Sequence, residues 1–161
     1  MDTPVESVVS TTRTAMTIGA VTAAAMLVVT AVGLQIFGLL VFVGGIYSGM
    51  KKFRKEAGGF IGYFEAFIVG IQTAFFASVI LAFFTYVSAT VEPAEIAAML
   101  NDMEQQLISL NYPSGLTETL MQQLRETLSP LILAVAAIFS YNVIGGIIAA
   151  ICAIFIRNEI R

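Results

Sequence analysis

Histidine is absent from this 161-residue chain. Its absence removes haem ligation by imidazole, the usual zinc sites and histidine proton relays. Cysteine occurs once, at Cys152, so no intramolecular disulfide can form and cysteine usage says nothing of redox compartment. Charge is scarce as well: 12% of the residues are charged and 58% are hydrophobic, with a mean hydropathy of +0.88. Ordinary soluble proteins carry about a quarter charged residues, so water cannot be the main solvent of this chain. Serine, cysteine and acidic residues are present without a base or a metal-ligand grouping, and the expectation is therefore no enzyme, no metal and no cofactor. Gly58-Gly59-Phe60-Ile61-Gly62 is rich in glycine, but no strand leads into it and the Lys-Ser/Thr of a phosphate loop is missing. It reads as a flexible lead-in to a helix.

What the chain has in quantity is long apolar runs: Ala15 to Val32, Leu34 to Met50, Ile61 to Val91 and Pro130 to Ile156. A helix needs about 20 apolar residues to cross a hydrocarbon core of roughly 30 Å, so Ala15 to Met50 is too long for one crossing and must fold back. The break is expected at Val32-Gly33-Leu34-Gln35, where a glycine and a strongly polar side chain sit together. A cleaved signal peptide is a poor alternative for the first run. Asp2 and Glu6 precede it with Arg13 as the only basic residue, and the run passes directly into the next. The predicted fold class is an all-α integral membrane protein with four transmembrane helices, residues 1–161 forming one transmembrane domain.

The basic residues orient it. Lys51, Lys52, Arg54 and Lys55 lie between spans two and three, Arg13 precedes span one, and Arg157 and Arg161 follow span four. Four crossings put all seven on one face, and short Lys/Arg-rich loops stay cytoplasmic, so both termini are expected inside a bacterial inner membrane. The basic loop reads first as a topology signal and second as a surface for anionic lipid, at about 1 kcal/mol per basic residue. Residues 92–129 form the expected extracytoplasmic insertion, with Glu92, Glu95, Asp102, Glu104, Glu118 and Glu126 set against Arg125 alone. The net charge of −3 is thus dipolar. Ile96, Met99, Leu100, Met103 and Leu107 recur at helical spacing, as do Leu116, Leu120, Met121, Leu124 and Leu128. With turn chemistry at Asn111-Tyr112-Pro113-Ser114-Gly115 between them, the segment predicts an amphipathic helical hairpin that packs on itself or on the membrane surface.

Within the spans, small residues recur at every fourth position. Gly62, Ala66, Gly70, Ala74 and Ser78 make one ridge, Gly45 and Gly49 a second, and Ala137, Tyr141, Gly145, Ala149 and Ala153 a third. Lipid tails are as apolar as leucine, so helices associate there by close packing and such ridges mark contact surfaces. Packing within the chain is the simplest use; a homo-oligomer or a larger membrane complex is the alternative. Span one, rich in Gly, Ala and Thr, is expected to sit against protein on more than one side. Val43-Gly44-Gly45-Ile46 and Ile144-Gly145-Gly146-Ile147 hint at a repeated two-span unit.

Polar groups at membrane depth are the default place to look for function. They are Gln35, Glu65, Gln72, Asn142 and the hydroxyls of Tyr47, Tyr86 and Tyr141. Glu65, near the start of span three, gains from the positive helix N-terminus and is expected to pair with Lys55 or Arg54 as an interfacial anchor. Interhelical hydrogen bonds are the plain reading of Gln72, Tyr141 and Asn142.

The order of these features resembles the four-span bacterial membrane family filed as domain of unknown function four-one-nine-nine. The likeness runs from about Thr14 to the end. It rests on Lys51-Lys52-Phe53-Arg54-Lys55, on Gly59-Phe60-Ile61-Gly62-Tyr63-Phe64-Glu65-Ala66-Phe67 with Gly70 following, on Val91-Glu92-Pro93, and on the closing Arg157-Asn158-Glu159. Glu92 stands where the family usually has Asp. The resemblance implies topology and a bacterial inner-membrane setting, but no activity. Two functions follow as expectations: a structural or accessory subunit that packs against other membrane proteins, or an oligomeric small transporter, channel or lipid-binding protein with Glu65, Gln72 and Asn142 along a path. Membrane lipid is an expected partner; nucleic acid is not.

Overall fold

The computed structural model describes residues 4–157, with side chains from residue 11 onward except those of Gln35 and Glu95. Expectations placed on Asp2, Glu6, Gln35, Glu95, Glu159 and Arg161 fall outside that description. Among the described residues every regular element is helical: α1 (Pro4–Ala31), α2 (Gln35–Glu56), α3 (Tyr63–Val91), α4 (Pro93–Ser109), α5 (Ser114–Thr127) and α6 (Pro130–Ile156). Four stretches are long and apolar enough to cross a membrane, namely Thr11–Ala31, Ile36–Glu56, Tyr63–Val91 and Pro130–Ile156. The chain divides into two compact units, one made of Met1–Leu81 with Ile138–Arg161 and the other of Ala82–Ala137.

In the first unit α1 and α2 lie against each other, reversed at the expected glycine. Gly33 has φ +77°, left-handed backbone that glycine adopts without a Cβ penalty, and Leu34 N–H closes the turn on the Val29 carbonyl at 3.0 Å. α2 runs further than the apolar pattern indicates. Lys51, Lys52, Arg54 and Lys55, expected in a loop, occupy its last turns. Lys and Arg are good helix formers, and a helix C-terminus favours cations, so nothing stops the helix at Met50. It ends at Gly58 and Gly59, whose φ values of +81° and +94° let the Gly59 N–H reach back to the Arg54 carbonyl at 2.8 Å.

The centre of this unit is α3, whose apolar window is 44% buried against 11% for α6. The α3 and α6 ridges meet as one antiparallel seam. A Cβ on Gly70 would come within 2.8 Å of the Ala149 Cβ, and one on Gly145 would overlap Ala74. One turn on, Asn142 Nδ2 donates to Ser78 Oγ at 2.8 Å; one turn back, Ala66 and Ala153 are both fully buried. Gly62 departs from the expected ridge. It lies ahead of α3 and is exposed, because the helix begins only at Tyr63.

The α2 glycines face two different helices. A Cβ on Gly45 would overlap Thr22 of α1, whereas one on Gly49 would lie 2.7 Å from the Thr73 Oγ1 of α3. On α1 a Cβ added to Gly19 would lie 2.8 Å from the Thr73 carbonyl oxygen, so span one does sit against protein on two sides. Thr22 and Thr30 need no partner helix: they donate to the Ile18 and Met26 carbonyls at 2.7 and 2.9 Å, which satisfies hydroxyls away from water. The two Gly-Gly segments are not equivalent. Gly45 packs and Gly44 is open, whereas Gly145 packs and Gly146 has nothing within 4 Å.

The second unit contains α4 and α5 packed on each other with Leu100, Thr117 and Met121 buried. Asn111 takes φ +57° in the turn between them, a conformation Asn tolerates. Arg125 pairs with Glu104 at 3.1 Å; both are exposed, which limits the pair to less than about 1 kcal/mol.

Candidate functional site

Two groups of polar side chains in the first unit could carry chemistry. The first lies in the helical core. Asn142 donates both to Ser78 and, at 2.7 Å, to the Ile138 carbonyl one turn earlier on its own helix. Tyr141 sets its ring edge against Phe42 at 5.6 Å between centroids, and Thr73 returns its hydroxyl to the Val69 carbonyl at 2.8 Å. Gln72 differs, because its Oε1 is buried without a hydrogen-bond partner. Asn142 therefore meets the expected interhelical bond, with Ser78 as partner, and Gln72 does not. Tyr47 and Tyr86 are exposed.

Glu65 also departs from expectation. Its carboxylate accepts from the Gly62 N–H at 3.1 Å, in the first turn of α3 where a negative charge faces the helix dipole. It forms no ion pair with Lys55 or Arg54. The reason lies in where α2 ends. With α2 continued to Glu56, Arg54 points elsewhere: its Nε donates to the Gly59 carbonyl at 3.0 Å and its Nη1 to the Ile156 carbonyl at 3.4 Å. One guanidinium thus ties the α2–α3 turn to the last turn of α6, whose final carbonyls lack helical partners.

The second group is at the same end of the unit. α1 begins there and α2 finishes there, and the Thr14 hydroxyl on α1 donates to the Glu56 carboxylate on α2. Beside that bond is an open pocket of about 550 Å³ lined by Arg13, Thr14, Thr17, Lys52 and Glu56. Arg13 and Lys52 come from different helices, and neither is ion-paired among the described residues, where the pair present is Arg125–Glu104. Lys51 and Lys55 are exposed on the same helix turns. The sequence alone marks Arg13 and Lys52 as basic residues and Thr17 as one of the threonines of span one, but gives no role to Thr14 or Glu56. Folding the chain back at Gly33 places Arg13, Thr14 and Thr17 of α1 opposite the last turns of α2, and that pairing was the available signal.

Among the described residues the structure is all-helical, its first unit brings Arg13, Lys52, Arg54 and the end of α6 to one end, and its four helices of membrane-crossing length and apolarity suggest a multi-pass membrane protein. Residues 13–158 match a family model described as Protein of unknown function (DUF4199), and the chain belongs to that family. No curated protein and no solved structure matches it.

Proposed function

We propose that this protein is a small multi-pass protein of the bacterial cytoplasmic membrane, with both termini inside, and that it serves as a structural or accessory subunit packed against another membrane protein. The observation that carries the reading is the contrast between the two sides of α6. One side is consumed by the seam with α3, down to Ala149 and Ala153 at zero exposure, while Phe139, Ile147, Ile151 and Phe155 on the other are more than half exposed. The ridges at Gly45, Gly49, Gly70 and Gly145 are occupied within the chain and are not the docking surface; the exposed side of α6 is.

A path for solute is not part of this reading. Asn142 and Ser78 satisfy each other inside a seam of glycine and alanine, and Glu65 caps a backbone N–H, so these groups are held in structural bonds. The inside placement of the termini is supported by the basic residues gathered at one end of the bundle. The test is mild crosslinking of the tagged full-length chain in its native membrane, followed by identification of what copurifies. A constant membrane-protein partner, lost when Ile147 and Ile151 are both changed to Ala, is the expected result. A chain that runs only as a monomer and carries lipid alone overturns the proposal.

A further inference from the structure

The pocket between Arg13–Thr17 of α1 and the end of α2 has a composition that the packing of two helices does not require. Deeper in the unit α1 and α2 meet by close approach of small residues, at Gly45 and Thr22. At the pocket, Arg13 and Lys52 instead face a shared space of about 550 Å³, within the roughly 300–1,000 Å³ typical of small-molecule sites. The Glu56 carboxylate is engaged by the Thr14 hydroxyl, which aims it at α1, and among the described residues neither cation has a contact ion pair. Among the described residues the lining side chains, Arg13, Lys52 and Glu56 with two threonines, carry a net positive charge, which suits an anionic phosphate. An arginine fork and a lysine point charge, supplemented by threonine hydroxyls, are the groups that hold phosphate oxygens.

We propose that this pocket binds a phosphate-bearing anion, and that the source is the headgroup of an anionic phospholipid. The pocket lies where the apolar stretch Thr11–Ala31 of α1 begins and where α2 ends, on two helices long and apolar enough to span a membrane, so spans seated in a bilayer hold it at headgroup depth. The choice of a lipid source rests on the membrane reading above; the phosphate chemistry does not.

The experiment uses the full-length protein in a mild non-ionic detergent, titrated with dioctanoyl phosphatidylglycerol and, separately, with inorganic phosphate, and followed by native mass spectrometry. Saturable binding of one phosphatidylglycerol is expected. Arg13→Gln and Lys52→Gln each weaken it about fivefold, as a lost cation near a headgroup does. Lys51→Gln, a neighbouring exposed lysine outside the pocket, weakens it less than twofold. Glu56→Gln strengthens it, since an anion is removed while Thr14 keeps a hydrogen-bond acceptor. Inorganic phosphate binding with the same dependence on Arg13 and Lys52 keeps the site and moves its source to solution. Equal weakening by all three Gln variants at cationic positions, or no saturable binding, overturns the proposal. Failure of the four-span reading is a separate result, seen in cysteine labelling of intact cells and not in this titration.

Discussion

Gly19 shows how little room the helix contacts leave. A Cβ there would lie 2.8 Å from both the Thr73 carbonyl oxygen and the Phe76 Cβ, and a backbone oxygen in a helix cannot move aside. Gly19→Val is expected to cost about 1–3 kcal/mol, in the range of overpacked cores, read as a lower unfolding midpoint in detergent. Gly146, with nothing within 4 Å, is the control: Gly146→Ala stays within about 0.5 kcal/mol of the parent. An equal loss for both variants sinks the argument from close approach. Asn142→Leu removes the donor to Ser78 and costs about 0.6 kcal/mol, with ~1.7 as a ceiling for such bonds in membranes. Ser78→Ala costs less, because Asn142 retains the Ile138 carbonyl; the reverse order in a denaturant titration contradicts this.

At the scale of elements, the four long helices and the pair between them were legible from apolar run length and helical spacing, since both follow from which groups can leave water. The seam was legible in part. Small residues four apart marked a face on α3 and another on α6, but which ridge meets which is set by the antiparallel register, and a single helix does not carry that information. The pattern also misplaced Gly62, because a period of four says nothing of where a helix starts. The end of α2 was the larger miss. A run of Lys and Arg looks like a loop when apolarity is the guide, yet those side chains favour a helix C-terminus, and the two further turns redirect Arg54 from Glu65 to Ile156. Arg54→Lys keeps the charge but not the planar fork that spans the Gly59 and Ile156 carbonyls. It is expected to lower stability by about 1 kcal/mol, measured by thermal melting; an unchanged midpoint means that the guanidinium bridge contributes nothing.

For the whole molecule, the decisive quantity is the side of the membrane on which each charged cluster lies. In a Cys152→Ala background, Lys52→Cys is expected to resist an impermeant maleimide until cells are opened, and Met103→Cys to react from outside. Both residues labelling from one side removes the four-span reading. The candidate pocket was less legible than the topology because its charges are far apart in sequence and converge only after α1 and α2 have paired. Thr14 and Glu56 carry no signal until that happens.

The α3 seam has a consequence for biogenesis. During synthesis, α3 leaves the ribosome well before α6, so Gly70, Ala74 and Ser78 wait for their counterpart while α4 and α5 are still being made. Until the last span arrives, that side of α3 is a shallow trench whose Ser78 hydroxyl turns back to the Phe75 carbonyl. A chain cut short before Pro130 keeps that trench permanently, which makes it a ready target for the proteases that clear orphaned membrane segments.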